Sequence, residues 1–359
     1  MATQMNTIDY LAGDANQQLA ESSLPAVGRG ILERNLLRRA DPYLCYEKFG
    51  TTHYLGERKG QTMVFRRFEK LALATTPITD GVTPTGVPIT KSDYAATILE
   101  YGNYTVITDK TKLTHVNRIT VEASTLMGEN MGETMDSVYG GPLVAGTSAI
   151  YVVADDETSA DISGTASTGV NGTICKTALD AAIRTLRGNK AKPFMPMVPG
   201  SVKIQSYPIG KSYWCIIHPD QEHDFTKANG GLAWGTEYVP VEQYAAHGTA
   251  MENELGKYRN IRFIYSTQCK ISADAGATDT GKFKSTASSL NDVYKNIIVG
   301  RDAYACVKLS KGSAGILTTK PGGSGDYLHQ RGSVGWKAFG VSAITNDAWI
   351  TRIECATLD

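Results

Sequence analysis

The stretch closest to a known binding motif is a glycine-bounded loop. Residues 276–282 read GATDTGK and match the first seven positions of a phosphate-binding loop. In that motif backbone amides cradle phosphate, and a serine or threonine at the eighth position holds magnesium. The eighth position here is Phe283, and no clear strand precedes the loop or helix follows it. We therefore interpret this segment as an ordinary loop.

Two histidines and three acids lie together at 218–224, which read HPDQEHD. A helical metal-binding pair needs histidines four residues apart, whereas His218 and His223 are five apart. The pattern is more typical of a strand ending at His218 and a helix beginning with Pro219, with acids in its first turn. Cys215 with His218 is a candidate nucleophilic pair, but residues three apart on a strand point to opposite faces. We therefore expect no catalytic constellation, no metal site and no cofactor.

Composition is that of an ordinary globular chain. The 359 residues include 36 bases and 36 acids, 42% are apolar and 20% are charged, which is too apolar for disorder. Zero net charge argues against a protein that holds nucleic acid by bulk attraction. We find no membrane-length apolar stretch and expect no signal peptide at residues 1–20. The six cysteines are scattered, so we predict buried free thiols.

Periodicity predicts two main helices. The first spans 117–139, with an apolar stripe at every third or fourth position. The stripe consists of Ile119, Ala123, Met127, Met131, Met135 and Val138. The other faces carry Glu122, Glu129, Glu133 and Asp136. Gly128 and Gly132 lower helix propensity but permit close approach of a neighbouring element. The second helix, 174–187, places Leu179, Ile183 and Leu186 on one face.

Strand patterns, rich in β-branched and aromatic residues, surround these helices. They are predicted at 62–69, 93–101, 103–109, 213–218, 260–266, 295–299, 303–309, 334–344 and 348–355. Residues 71–93 are rich in proline, glycine and threonine, and they extend the first two strands into a long hairpin. Such a ribbon is marginal alone in water, so we expect it to lean on something else. Residues 1–26 read as an extended arm and 27–40 as a short helix.

Charge is sorted locally although it cancels overall. Residues 57–70, in the hairpin, have five bases against two acids, and residues 117–140, in the first helix, have one base against four acids. These surfaces complement each other, either within one chain or between copies. The alternative is that they are two independently solvated faces.

In this order, the pieces resemble phage major capsid proteins of the N-four type. The segments that carry the resemblance are GQTMVFRRF at 60–68, ATTPITDGVTP at 74–84, YGNY at 101–104, GETMD at 132–136, CIIHPD at 215–220, QRGSVGWK at 330–337 and NDAW at 346–349. The similarity runs from about residue 30 to residue 354. That family is similar to the Hong Kong 97-type capsid fold of tailed double-stranded DNA phages.

The resemblance implies an α+β fold of the Hong Kong 97 type in five parts. They are an N-terminal arm at 1–40, an extended loop at 41–110, a peripheral domain with a long spine helix at 111–172, an axial domain at 173–330, and C-terminal strands at 331–359 that return to the peripheral domain. It also implies a structural protein rather than an enzyme. Copies would assemble in the host cytoplasm as pentamers and hexamers of an icosahedral virion head.

The implied partners are other copies of the chain, with portal, scaffolding and decoration proteins. The shell would enclose double-stranded DNA without sequence-specific binding, and no membrane is involved. Arg66 and Arg67 on the hairpin are our candidates for contact with an acidic surface of the neighbouring subunit, with Glu129 and Glu133 as candidate partners. Two successive strand residues point to opposite faces, so we expect one arginine to make this contact.

Three alternatives stay open at this point. One is an encapsulin-type compartment, which packages protein cargo instead of a genome. Another is a nucleotide- or metal-dependent enzyme that uses the loop at 276–282 or the two histidines. The third is a phage tail or adhesin component, which would form tubes or trimers rather than closed shells.

Overall fold

A computed structural model provides the structure of this protein. It describes residues 36–40, 43–83, 85–115, 119–156, 159–194, 211–226, 238–243, 251, 253–279, 281–287, 289–310, 314–319 and 327–359. Most of the predicted arm at 1–40 lies outside these ranges. Residues 36–40 are helical, which agrees with the end of the helix predicted at 27–40.

Helices and strands alternate irregularly along the described residues. The helices are α1 Cys45–Phe49, α2 Asp109–Thr114, α3 Ile119–Gly140, α4 Lys176–Gly188 and α5 Glu222–Thr226. The strands before α4 are β1 Thr51–Leu55, β2 Thr62–Phe68, β3 Lys91–Thr97, β4 Leu99–Thr108, β5 Ala149–Tyr151, β6 Ala154–Asp156 and β7 Ser159–Asp161. The later strands are β8 Tyr213–Ile217, β9 Tyr238–Pro240, β10 Glu254–Tyr258, β11 Ile261–Tyr265, β12 Ile271–Ser272, β13 Val293–Val299, β14 Tyr304–Leu309, β15 Ala314–Thr319, β16 Arg331–Ile344 and β17 Ile350–Cys355.

Both predicted helices are confirmed as α3 and α4, and the predicted strands are confirmed with small shifts at their ends. One boundary is wrong. The sequence predicts that Gly102 splits two strands, but β4 runs straight through it. A β-carbon at Gly102 would lie 2.8 Å from the carbonyl oxygen of Trp336. Gly102 is therefore the site of a close backbone approach inside the sheet rather than a break.

The chain divides into two compact units. The first comprises Met1–Ala40, Gly102–Met131 and Ala314–Ala338, and the second comprises Asp41–Tyr101, Gly132–Ser313 and Phe339–Asp359.

In the first unit, strand pairing surrounds a buried tryptophan. β15 runs antiparallel to the first half of β16, from Ala314 opposite Ala338 to Thr319 opposite Ser333. Trp336 is buried, and its indole nitrogen donates to Asn130 Oδ1 at 2.9 Å. A buried indole N–H needs such a partner, so this bond fixes α3 to the strand.

The helical residues 36–40 lie against α3 in the same unit. A β-carbon at Gly128 would be 2.7 Å from the carbonyl oxygen of Leu36 and 3.0 Å from its Cα. The prediction that Gly128 permits close approach of a neighbouring element is confirmed.

The second unit is built on an eight-stranded mixed sheet. Its order is β5-β17-β13-β8-β11-β10-β9, with β12 paired to β13. β8 and β11 are parallel, as are β17 and β5. The amphipathic helix α4 contributes Leu179, Ile183 and Leu186 to the same core as Cys215 and Phe263 of the sheet. The predicted apolar face of this helix is confirmed.

A smaller strand group in the second unit supports the hairpin. β1 is parallel to β14, and β14 pairs antiparallel with the last part of β16. Leu55, Ala96 and Val307 form a buried cluster there, onto which Met63 and Phe65 pack. The hairpin therefore rests on its own chain at its base.

All six cysteines are buried and free, as predicted. None of the described helices has the length and apolarity needed to cross a membrane.

Candidate functional site

The hairpin β2–β3 of the second unit is exposed at alternate positions along both strands. Seven cross-strand pairs join it, from Thr62 opposite Thr97 to Phe68 opposite Lys91. Strand side chains alternate between the two faces, so Met63 and Phe65 turn to the supporting cluster. Val64, Arg66 and Phe68 lie on the exposed face. The ribbon is thus anchored on one side only.

The segment beyond the ribbon, 69–90, is open to solvent at nearly every described position. At its base, the two sides of the segment are joined by a backbone hydrogen bond, in which Glu69 N–H donates to Thr90 O at 3.0 Å. Its large apolar side chains are 51–78% exposed: Leu71, Leu73, Ile78, Val82, Val87 and Ile89. Exposed apolar side chains grouped in this way are typical of a surface that contacts a binding partner.

Arg66, the first candidate contact, is held across the ribbon by Asp93. Arg66 Nε donates to Asp93 Oδ1 at 2.8 Å and Nη2 donates to Oδ2 at 3.2 Å. The two residues face each other directly in the register, and the arginine lowers the pKa of Asp93. This cross-strand pair is the sheet equivalent of a helical i, i+4 pair. It was not recognised in the sequence because it depends on the register.

Arg67, the second candidate, points the other way, as expected for successive strand residues. Its Nη1 donates to Asn346 Oδ1 at 2.7 Å and its Nη2 donates to Glu69 Oε1 at 2.9 Å. Glu69 also accepts from Ser92 Oγ at 2.7 Å. The hydrogen bonds from Ser92 and Arg67 lower the pKa of Glu69. Arg67 therefore stabilises the end of the ribbon, from which the exposed segment 69–90 extends.

Helix α3 carries the two acidic candidates. Glu129, in the first unit, lies 3.7 Å from Arg39, an exposed and weak ion pair. Glu133, in the second unit, is half-buried and forms no ion pair with another described residue. Of the four candidate residues, Glu133 is therefore the one that forms no ion pair within the described part of the chain.

Asp136, one of the four acids counted on the acidic surface of α3, does not belong to that surface. The side chain is fully buried in the second unit. Its Oδ1 accepts from Tyr46 N at 2.7 Å and its Oδ2 accepts from Ser266 Oγ at 2.7 Å. Burial raises its pKa from 3.8 to about 6, more than the hydrogen bonds and Lys48 lower it. Asp136 ties α3 to α1 and to the loop after β11, which helical periodicity could not reveal.

The loop at 276–282 uses its backbone amides within the chain. Ala277 N donates to Val170 O at 3.0 Å, and Asp279 N donates to Ser289 O at 3.1 Å. Gly281 N donates to the side chain of Asp279 at 2.8 Å. In a phosphate-binding loop these N–H groups would point to the ligand. The interpretation as an ordinary loop is confirmed for the described residues.

The histidine cluster forms a helix start. His218 is the N-cap of a short 3-10 turn, Pro219–Gln221, and its Nδ1 accepts from Asp220 N at 3.3 Å. Asp220 Oδ2 in turn accepts from Lys284 Nζ at 2.6 Å and from the Tyr294 hydroxyl at 2.8 Å. Burial lowers the pKa of His218.

No three His, Cys, Asp or Glu side chains in the described part of the chain are placed to hold a metal ion. Cys215 is fully buried in β8, and burial raises the pKa of its thiol well above the usual value. A thiolate nucleophile needs the opposite shift. The described geometry therefore gives no support to the enzyme alternative.

Comparison with known proteins identifies the fold. No family model and no curated protein matches the chain. Among solved structures, the capsid of Ralstonia phage GP4 matches with a TM-score of 0.63 at 14% identity, covering 100% of this chain and 99% of that one. The capsid asymmetric unit of cyanophage Pam1 matches with a TM-score of 0.54 at 13% identity, covering 99% of both chains. The capsid of cyanophage P-SCSP1u matches with a TM-score of 0.52 at 14% identity, covering 86% of this chain and 87% of that one.

Matches of full length at such low identity reflect a shared backbone arrangement rather than shared side chains. The predicted α+β architecture is confirmed, while the narrower resemblance to the N-four type stays a prediction. The chain has the Hong Kong 97-type capsid fold.

Proposed function

We propose that this protein is a major capsid protein, which assembles with copies of itself into the icosahedral head of a phage. The observation that carries the proposal is the full-length match to phage capsid structures. Fold alone does not fix function. The exposed hairpin adds a second reason, because its apolar tip is unburied in the single chain and would be covered in a shell.

In this proposal the chain has the five parts that the resemblance implies: arm, extended loop, peripheral domain, axial domain and C-terminal strands. Its work is self-association through contacts between different surfaces, which close by curvature into pentamers and hexamers. The shell encloses double-stranded DNA, and portal, scaffolding and decoration proteins act with it. The protein is structural rather than catalytic, and it is located in the virion after assembly in the host cytoplasm.

Electron microscopy of the purified full-length protein tests the proposal. We expect closed shells of uniform size. Tubes, trimers or a monomer at all concentrations would contradict it. An encapsulin-type compartment would also form shells, so the cargo must be analysed: a genome with a portal supports the phage head, and packaged enzymes support the compartment.

The exposed tip can be tested by substitution. Leu73→Asp and Ile78→Asp should each strongly reduce shell yield, because a charge replaces an apolar side chain that would be buried between subunits. Thr79→Asp is the matched control, since it adds the same charge to the same tip at an exposed polar position. Circular dichroism should show folded protein in all three. Equal shell yields in the leucine, isoleucine and threonine variants would count against a buried tip.

The charged contact between subunits remains part of the proposal, and the pairing of Arg66 with Asp93 sharpens its test. Arg66→Glu should impair assembly. Arg66→Glu with Asp93→Arg restores the pair across the ribbon, whereas Arg66→Glu with Glu133→Arg restores a pair between subunits. Rescue by Glu133→Arg alone supports the contact. If only the double variant with Asp93→Arg regains assembly, Arg66 acts within the hairpin. The same pair of double variants made on Arg67→Glu then tests whether Arg67 makes the contact between subunits.

A further inference from the structure

A basic cavity lies beside helix α4 in the second unit. It has a volume of about 360 Å³ and is open to solvent. Its lining residues are Asp180, Ile183, Arg184, Arg187, Arg259 and Asn260. Four of these recur along one face of α4, and the other two come from the turn between β10 and β11. Three arginines against one aspartate leave a surplus of two positive charges.

The one acid of the cavity is already neutralised. Arg259 Nη1 lies 2.9 Å from both carboxylate oxygens of Asp180, and the Tyr258 hydroxyl donates to Oδ1 at 3.1 Å. The backbone of Arg259 has a positive φ of 46°, a conformation that is uncommon for a residue with a side chain. The turn between β10 and β11 thus holds the Arg259 guanidinium against α4. Its positive charge offsets the negative charge of Asp180, which would otherwise repel an anion.

Arg184 and Arg187 have no acidic partner among the described residues, and both are exposed. They lie three positions apart on the helix, which makes them neighbours on its surface. Two guanidinium groups beside one cavity offer several N–H donors in a planar geometry that matches the oxygens of phosphate.

The carboxyl end of a helix ordinarily disfavours an anion, because its last carbonyl groups carry partial negative charge. Here the carbonyls of Thr185, Leu186 and Arg187 accept hydrogen bonds from the N–H groups of the residues that follow α4, at 2.9–3.0 Å. These hydrogen bonds, together with the positive charge of Arg187, reduce the repulsion between the helix end and an anion.

We propose that this cavity is a binding site for a phosphate-type oxyanion, held by Arg184 and Arg187 with Arg259 as the positioned third cation. The ligand is either a free phosphate compound or the phosphodiester backbone of DNA, which present the same chemistry. The site does not depend on shell formation, so its test does not depend on the proposed function.

Isothermal titration of the full-length protein with sodium pyrophosphate at low ionic strength tests the site. We expect saturable binding with one site per chain. Arg184→Gln with Arg187→Gln should weaken it at least tenfold, because two charge-assisted contacts are lost. The matched control is Lys110→Gln with Lys112→Gln, which removes the same charge from exposed positions of helix α2.

Absence of saturable binding to the unaltered protein would overturn the proposal, as would equal affinities in the arginine double variant and the unaltered protein. Equal loss in the lysine control would overturn it too, since that would mean bulk attraction. A thermal melt verifies that both variants are folded. A short duplex DNA added as competitor distinguishes the sources: displacement of pyrophosphate supports phosphodiester as the ligand, and no displacement supports a free phosphate compound.

Discussion

Replacing Asp136 by asparagine should flatten the dependence of stability on pH. The carboxylate is fully exposed to solvent in the unfolded chain, with a pKa near 3.8, and burial raises that pKa to about 6 in the folded protein. Below pH 3.8 the group is protonated in both states and costs nothing. Between the two values the unfolded chain releases a proton that the folded protein retains, so stability falls as pH rises. Above about 6 the whole penalty is present.

The size of the penalty follows from the shift. A difference of about two pKa units corresponds to about 3 kcal/mol of unfolding free energy. Asparagine keeps the shape of the side chain and one oxygen that can accept from Tyr46 N–H. Its amide can donate to the Ser266 hydroxyl, which is able to accept. Any change in hydrogen bonding adds an offset that does not vary with pH.

The assay is urea unfolding of unassembled protein, followed by tryptophan fluorescence, at intervals from pH 3.5 to pH 8. The stability of Asp136→Asn relative to the unaltered protein should increase by about 3 kcal/mol across this range. Other carboxyl groups titrate in both proteins and cancel. Asp80→Asn, at an exposed position of the hairpin tip, should show no such increase. A stability difference for Asp136→Asn that stays constant with pH would refute the reasoning.

Three further perturbations test the packing. Arg262→Met removes the arginine that binds buried Glu254 at 2.5–2.6 Å, so chemical denaturation should show that the free energy of unfolding falls by about 3–5 kcal/mol. The control Arg259→Met, at an exposed ion pair, should lower it by less than about 1 kcal/mol. Equal losses in the two variants would contradict this expectation. Gly128→Ala gains helix propensity but places a methyl group 2.7 Å from the carbonyl oxygen of Leu36. The free energy of unfolding should therefore fall by about 1–3 kcal/mol. A variant more stable than the unaltered protein would show that the helix and Leu36 are not closely packed. A thiol reagent should label none of the six buried cysteines rapidly in native protein and all of them in denaturant; a fast-reacting thiol before unfolding would contradict their burial.

The order of elements was readable from the sequence because it depends on local periodicity. The stripe of α3 and the apolar face of α4 follow from side chains repeating at helical spacing, and the hairpin follows from strand patterns around a Pro- and Gly-rich segment. The order of the motifs along the sequence likewise predicts the capsid fold. Short elements without a long repeat were not predicted, among them α1, β1, β9, β10 and β15. Elements of three to six residues carry too little pattern to be distinguished from a loop.

The candidate contacts show where a linear reading ends. The sequence determined that Arg66 and Arg67 lie on opposite faces of one strand, because side chains alternate along any strand. Only the register placed Asp93 opposite Arg66, and only the tertiary fold brought Asn346 to Arg67. Likewise Asp136 reads as a surface acid on helical periodicity, yet it is buried because α1 and the loop after β11 close over it. The arginine cavity depends on the turn between β10 and β11, where Arg259 binds Asp180 of α4 across 79 positions of sequence. Local spacing determined which elements form, whereas the long-range packing of those elements decided which charges are neutralised and which remain available to bind.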